Sequence, residues 1–313
     1  MSETKPIILY DTDMDTDCDD AGALAILCEY VRRGKAELVG IAADVVCPYA
    51  APCCEALRDF YGLRCPVGTV YSDFCPETET DRLKAYRGHM NNLGARRYNR
   101  FYSEKLGKTD ADYPSAASLY RRILADAPDG SVTVLCVGML TAADDALASQ
   151  PDSISPLSGR ELFARKVKRV ICMALTDSYG PNFNWDMDAP AAQRFLENCP
   201  VPVYVSAAGE VVFTGASLTD RFPQTHPLRH IYETWLLGPH KARRSWDLIA
   251  ALYALEGESP WLTAEARGDC RYDSASHHSY WETEHHRGDH EILVRVSDDE
   301  LAAVLEARMT GDF

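Results

Sequence analysis

The segment Asp11-Thr12-Asp13-Met14-Asp15-Thr16-Asp17-Cys18-Asp19-Asp20 carries six aspartates in ten residues. Carboxylates crowded in this way repel one another and raise each other's proton affinity unless a cation sits among them. A donor set of carboxylate oxygens suits a hard cation, whereas zinc would call for His and Cys ligands together. The plain alternative is a solvated acidic turn whose last aspartates favour the positive end of a helix. The flanking sequence argues against it. Pro6 to Tyr10 reads as an apolar strand, and Ala21-Gly22-Ala23-Leu24-Ala25-Ile26-Leu27 as a helix, so the loop is pinned at both ends.

Spacing narrows the metal chemistry. An EF-hand starting at Asp11 needs Gly at its sixth position and Glu at its twelfth, where this chain has Thr16 and Gly22. A strand running into Asp-x-Asp also opens the haloacid-dehalogenase-type phosphatases, but their motif continues with Thr or Val where Asp15 stands. A metal-dependent phosphohydrolase is kept as an alternative.

The elements that must position this loop alternate along the chain. Pro6–Tyr10, Glu37–Ala43, Ser131–Val137, Lys168–Met173 and Val201–Ser206 read as strands; Ala21–Arg33, Ala50–Tyr61, Ala116–Ala127 and Pro190–Asn198 read as helices, with Asp188 as N-cap of the last. This pattern predicts an α/β fold: a single-domain, open, mostly parallel Rossmann-like sheet flanked by helices. The polar stretch from Asp73 to Asp112 reads as an excursion over the sheet. In such folds ligands bind beyond the carboxyl ends of the strands, where the acidic loop lies.

Composition limits the partners. Across 313 residues, 32 Lys plus Arg face 47 Asp plus Glu, a formal net charge of −15 that repels nucleic acid polymers and anionic membranes. Small neutral or cationic molecules and metal cations remain. No segment approaches the roughly 20 apolar residues of a membrane span, and no export signal is visible in Met1 to Lys5. Eleven scattered cysteines without a CxxC pair fit reduced thiols in a cytoplasmic protein. Cys18, among carboxylates, is expected to have a raised pKa and not to act as a nucleophile.

The loop resembles the N-terminal fingerprint of the inosine-uridine-preferring nucleoside hydrolases, in the branch with the pattern DTDxGxDxDDxxAL. Later pieces follow in the family's order: Ser131-Val132-Thr133-Val134 to Val137-Gly138-Met139-Leu140-Thr141, then Phe183-Asn184 with Asp188, then Arg244-Ser245-Trp246-Asp247. The resemblance implies calcium-dependent hydrolysis of the N-glycosidic bond of ribonucleosides or related N-ribosides, giving free base and ribose. It assigns Asp13 as metal ligand and catalytic base, Asp20 and Asp247 as metal ligands, and the Thr141 main-chain carbonyl as another, with Asp11 in support. Asp19 and Asn184 would hold ribose hydroxyls, and assembly into a homo-oligomer, dimer or tetramer, is a family expectation. Ca²⁺ takes 6–8 oxygens, which suits carboxylates, a carbonyl, a diol and water together. Such chemistry passes through an oxocarbenium-like sugar, whose positive charge nearby carboxylates tolerate.

Several positions depart from the family pattern. Asp15 replaces a glycine, Asn182 a Glu that contacts the sugar 5′-hydroxyl, Ala174-Leu175 a Gly pair, and Ala207 another Glu. An amide at Asn182 keeps a hydrogen bond without the charge, so a 5′-modified sugar also fits. Where some relatives place a His before the last metal Asp, this chain has Trp246, which could stack on the leaving base. His89, in the polar excursion, is the candidate leaving-group acid. His277, His278, His285, His286 and His290 read as a C-terminal strand or loop region and not as a second metal site, with Tyr280 or Trp281 as candidate pocket residues. Beside hydrolase and phosphohydrolase stands a third reading, a nucleoside- or ribose-binding protein without turnover.

Overall fold

The first apolar run forms β1 (Ile7–Thr12), and its side chains alternate: Ile8 and Tyr10 enter one core, Leu9 the other. That is the behaviour of a strand covered on both faces. The computed structural model describes residues 5–15, 17–70, 98–176, 178–179, 182–284 and 287–313. The further strands are β2 (Glu37–Ala43), β3 (Val67–Thr69), β4 (Val132–Cys136), β5 (Val167–Met173), β6 (Ser178–Tyr179), β7 (Val203–Ser206), β8 (Phe213–Thr214), β9 (Arg243–Arg244), β10 (Leu262–Asp273), β11 (His278–Glu282) and β12 (Asp289–Val294).

Ten of them make one sheet in the order β3-β2-β1-β4-β5-β7-β12-β10-β11-β6, and β8 pairs with β9 apart from it. From β3 to β12 all neighbours are parallel; β10, β11 and β6 add antiparallel pairs at one edge. Helices Asp19–Arg32, Ala50–Phe60, Pro227–Trp235, Trp246–Glu256 and Asp298–Thr310 pack on one face. Helices Ala116–Asp126, Thr141–Ala148, Gly159–Lys166 and Ala189–Asn198 cover the other. The mostly parallel, helix-flanked sheet expected from the sequence is thus present, with the predicted strands and helices within one or two residues of those observed. Asp188 does cap its helix, accepting from the Ala191 N–H.

Two expectations change. Most of the expected polar excursion falls at 71–97, outside the described residues, but from Tyr98 onward the chain is no excursion. Tyr98–Leu106 is a helix, and Tyr98 and Tyr102 are buried in the core. The polar residues that made this part look solvated have protein partners. Asn99 donates to Asp15 Oδ1 at 2.5 Å, and Asp110 accepts from Thr69 Oγ1 at 2.6 Å and from Ala51 N–H at 3.0 Å. The histidine-rich tail is mostly strand, in β11 and β12, and its described histidines do not converge: His290 stacks on Tyr204, while His277 Nδ1 lies 2.9 Å from Asp186. His285 and His286 lie outside the described residues.

The helix after the acidic loop is held close to its neighbours at Gly22. A Cβ there would meet Tyr232 Oη at 2.5 Å and Leu248 Cδ1 at 2.9 Å, both on buried side chains. Gly22→Ala should therefore destabilise the protein by about 1–3 kcal/mol from overpacking, outweighing the gain of up to about 1 kcal/mol in helix propensity. Denaturant unfolding of the two proteins checks this, and a more stable variant would show that the helices can separate at no cost.

Candidate functional site

The acidic loop leaves β1 where the strand order reverses, with β2 and β3 on one side and β4 and β5 on the other. Crossovers leaving in opposite directions open a crevice at such a point. Here it is a cavity of about 440 Å³. Its acidic end is formed by Asp13, Asp17, Asp19, Asp20 and Asp247, and its other walls include Met173, Leu175, Phe183, Trp235 and Trp246.

Hydrogen bonding fixes the acidic end. Tyr10 Oη donates to the Asp20 carbonyl at 2.9 Å, and Thr12 Oγ1 to Asp20 Oδ1 at 2.5 Å, tying the first turn of the helix to the end of β1. Asp247 stands in the first turn of helix Trp246–Glu256, and its backbone N–H donates to Asp19 Oδ2 at 3.2 Å. Asp19, Asp20 and Asp247 are buried, and an oxygen from each lies within 4.8 Å of the others. Burial first, and then neighbouring carboxylates, push all three pKa values well above the ordinary 3.8. For Asp19 the leading neighbour is Asp17, for Asp20 it is Asp13, and for Asp247 it is Asp19. A cluster of buried oxygens that resist ionising together is what a hard cation would relieve, so this triad could hold a metal.

The remaining positions separate into two groups. Asn182, Asn184 and Trp246 line the cavity as expected, with Ala174 and Leu175 beside them. Asn184 Nδ2 donates to the Val137 carbonyl at 2.6 Å, and Asn182 Nδ2 to the Leu175 carbonyl at 3.0 Å, which leaves the amide oxygen of each as the end that can face a ligand. Thr141 is not a wall residue. It opens helix Thr141–Ala148 and donates its hydroxyl to Asp188 Oδ2 at 2.6 Å, while Val137, one residue past β4, reaches the cavity.

Asp11 also lies away from the cavity. It points to the opposite face of the sheet, where Tyr120 Oη donates to it, and burial raises its pKa well above 3.8. Cys18 is buried, and burial followed by Asp17 and Asp19 raises its thiol pKa, as expected. Tyr280 and Trp281 are not among the cavity residues, and neither is Ala207, although Glu210 three positions on is. His89 lies outside the described residues. Nothing in the local sequence singles out Arg243, Glu210 or Trp235, which reach the cavity from three separate segments. Arg243 adjoins the Arg244–Asp247 motif, the one signal that points its way.

No family model matches the chain, and no curated protein does. Solved structures do. An inosine-uridine preferring nucleoside hydrolase from Bacillus anthracis is 17% identical, with a TM-score of 0.61, covering 99% of this chain and 100% of its own. A purine-preferring ribonucleoside hydrolase from Gardnerella vaginalis is 13% identical, with a TM-score of 0.67 and coverage of 97% and 98%. The type III effector protein XopQ, complexed with adenosine diphosphate ribose, is 14% identical, with a TM-score of 0.67 and coverage of 99% and 95%.

The raised carboxyl pKa values set the sign of a pH effect. Groups that hold protons more tightly when folded favour folding below 3.8, and that stabilisation is lost as pH rises through their raised values. With a chelator present, Tm should fall as pH rises above the ordinary carboxyl value of 3.8, and a divalent cation should reduce the slope by neutralising the cluster. Thermal melts across that range check it; a slope that ignores the cation would separate the triad from metal binding. Identity this low speaks to architecture, and over essentially its whole length this chain has the nucleoside hydrolase fold.

Proposed function

We propose that this protein is a calcium-dependent N-ribosyl hydrolase, cleaving the N-glycosidic bond of a ribonucleoside or related N-riboside. One observation carries the reading: Asp19, Asp20 and Asp247 meet in a cavity that Asp13 shares and that aromatic and apolar side chains also line. What the structures of the same fold are named for supports it.

The donor set is all oxygen, which favours calcium over zinc. Asp13, Asp20 and Asp247, with the Thr141 main-chain carbonyl, are the groups proposed to hold the ion. A bound calcium would lower the pKa of the attacking water and orient the ribose diol. The chain's own residues do the rest. Asp13 accepts the water's proton, and Asp19 accepts from a ribose hydroxyl. The Asn184 and Asn182 amide oxygens are acceptors too, the latter suited to a free 5′-hydroxyl. A sugar surrounded by acceptors and carboxylates can carry positive charge at C1′ as the base leaves. Trp246, Trp235 and Phe183 offer flat apolar surface to that base. His89 remains the proposed acid for the leaving group, in a cytoplasmic protein acting on a small molecule.

Phosphoryl transfer fits this cavity poorly. Among the described residues five aspartates and Glu210 line it, and the guanidinium of Arg243 is already paired with Asp17. A phosphate dianion would need further cations. The binding-only reading draws on the effector held with adenosine diphosphate ribose. Incubating the chain with calcium and a panel of nucleosides, and measuring base and ribose, decides among the three: free sugar with base supports hydrolysis, phosphate release from phosphate esters supports the second, and ligand binding without product the third.

Within the hydrolase reading, Asp13→Asn should still bind ligand but turn over about 10²–10⁴-fold more slowly, since an amide cannot accept the water's proton. Single-turnover rates measure this. Asp20→Ala should lose calcium by metal analysis, and a variant that retains it fully would move the ion elsewhere.

A further inference from the structure

Among the described residues of the cavity, Asp17 is the one aspartate that the proposed chemistry leaves without a task. It lines the same space as Asp13, Asp19, Asp20 and Asp247, and its charge acts on Asp19, Asp20 and Asp247. Its own position is fixed from outside the loop. Arg243, on β9, donates through Nε to Asp17 Oδ2 at 2.7 Å and places a second guanidinium nitrogen on the same oxygen. The pair is largely sheltered, with side-chain exposures of 28% for Arg243 and 15% for Asp17. Asp17 Oδ1 meanwhile accepts from the Cys18 N–H at 2.6 Å, and Tyr98 Oη donates to the Asp17 carbonyl at 2.6 Å. The guanidinium also lies 5.3 Å from the Trp246 ring centroid, which orients it from the other side.

A calcium ion accepts up to about eight oxygens and tolerates irregular geometry, so an unrestrained carboxylate nearby would join it. Each position so filled is one that a ribose hydroxyl or the water cannot use. Resting on the hydrolase reading above, we propose that Arg243 is a positioning residue that holds Asp17 away from the ion and thereby keeps coordination positions open for the substrate. A salt bridge whose only role was to brace the loop would have the opposite signature, since its loss would weaken ion and substrate binding together.

The test separates the two. Arg243→Gln should bind calcium about 3–10-fold more tightly by titration calorimetry, because a carboxylate is gained, while KM for inosine rises about 10-fold. Removing the freed carboxylate as well, in Arg243→Gln with Asp17→Asn, should bring calcium affinity and KM back to within about 3-fold of wild type. Arg243→Lys, which keeps the charge, should stay near wild type in calcium affinity. Weaker calcium binding in Arg243→Gln, or a double variant no better than the single one, overturns the proposal while leaving the hydrolase reading intact. A wild-type protein that binds no calcium removes both.

Discussion

Mutual repulsion among carboxylates is the constraint around which this molecule is arranged. Asp13, Asp17, Asp19, Asp20 and Asp247 face one cavity, and Asp19, Asp20 and Asp247 are buried there with raised pKa values. Like charges converge in a folded chain only when the backbone that carries them is held by something stronger than their repulsion. Here the holding is done by apolar packing. β1 is buried between two cores, helix Asp19–Arg32 is buried along most of its length, and helix Trp246–Glu256 packs beside it. The loop between β1 and its helix has little freedom to splay.

The same frame sets where the cavity opens. At the reversal of strand order the end of β4 comes directly against the acidic loop, and Gly138 permits the approach: a Cβ there would sit 2.6 Å from the Asp13 backbone nitrogen. A side chain at that position would push Asp13 out of place. From the far side, Asp247 arrives in the first turn of a helix and its N–H donates to Asp19, so the helix end that contributes another negative group also contributes a donor. The polar requirement and the packing requirement are met by the same three elements.

Charge compensation is local. Arg243 answers Asp17, and Thr12, Tyr10 and the Asp247 N–H engage parts of Asp19 and Asp20. The cavity is also lined by Met173, Leu175, Phe183 and the two tryptophans. A ligand that suits both kinds of lining has a polar, hydroxylated part and a flat or apolar part. An N-riboside has both, which is the support that the lining lends to the proposed chemistry.

How much of this was legible in sequence depended on the range of the interaction. The acidic loop, its strand and its helix were readable because a local pattern dictates them: an apolar run, six aspartates, then an Ala- and Leu-rich helical stretch. Asp188 capping the helix at Ala189 was readable for the same reason. The resemblance carried Asp247, Asn182 and Asn184 to the cavity across long separations. It did not point to Val137, which lines the cavity just after β4 and accepts from Asn184. Polarity misled at Tyr98–Asp112, where Asn99 and Asp110 are buried against partners far away in the chain. Arg243 and Asp17, separated by 226 residues, meet only because β9 folds over the loop. Sequence alone therefore determined the strand-loop-helix that concentrates negative charge, since hydrophobic periodicity and charge spacing act between near neighbours. Tertiary structure alone decided which distant groups surround that charge, since their approach is set by the packing of helices on a shared sheet.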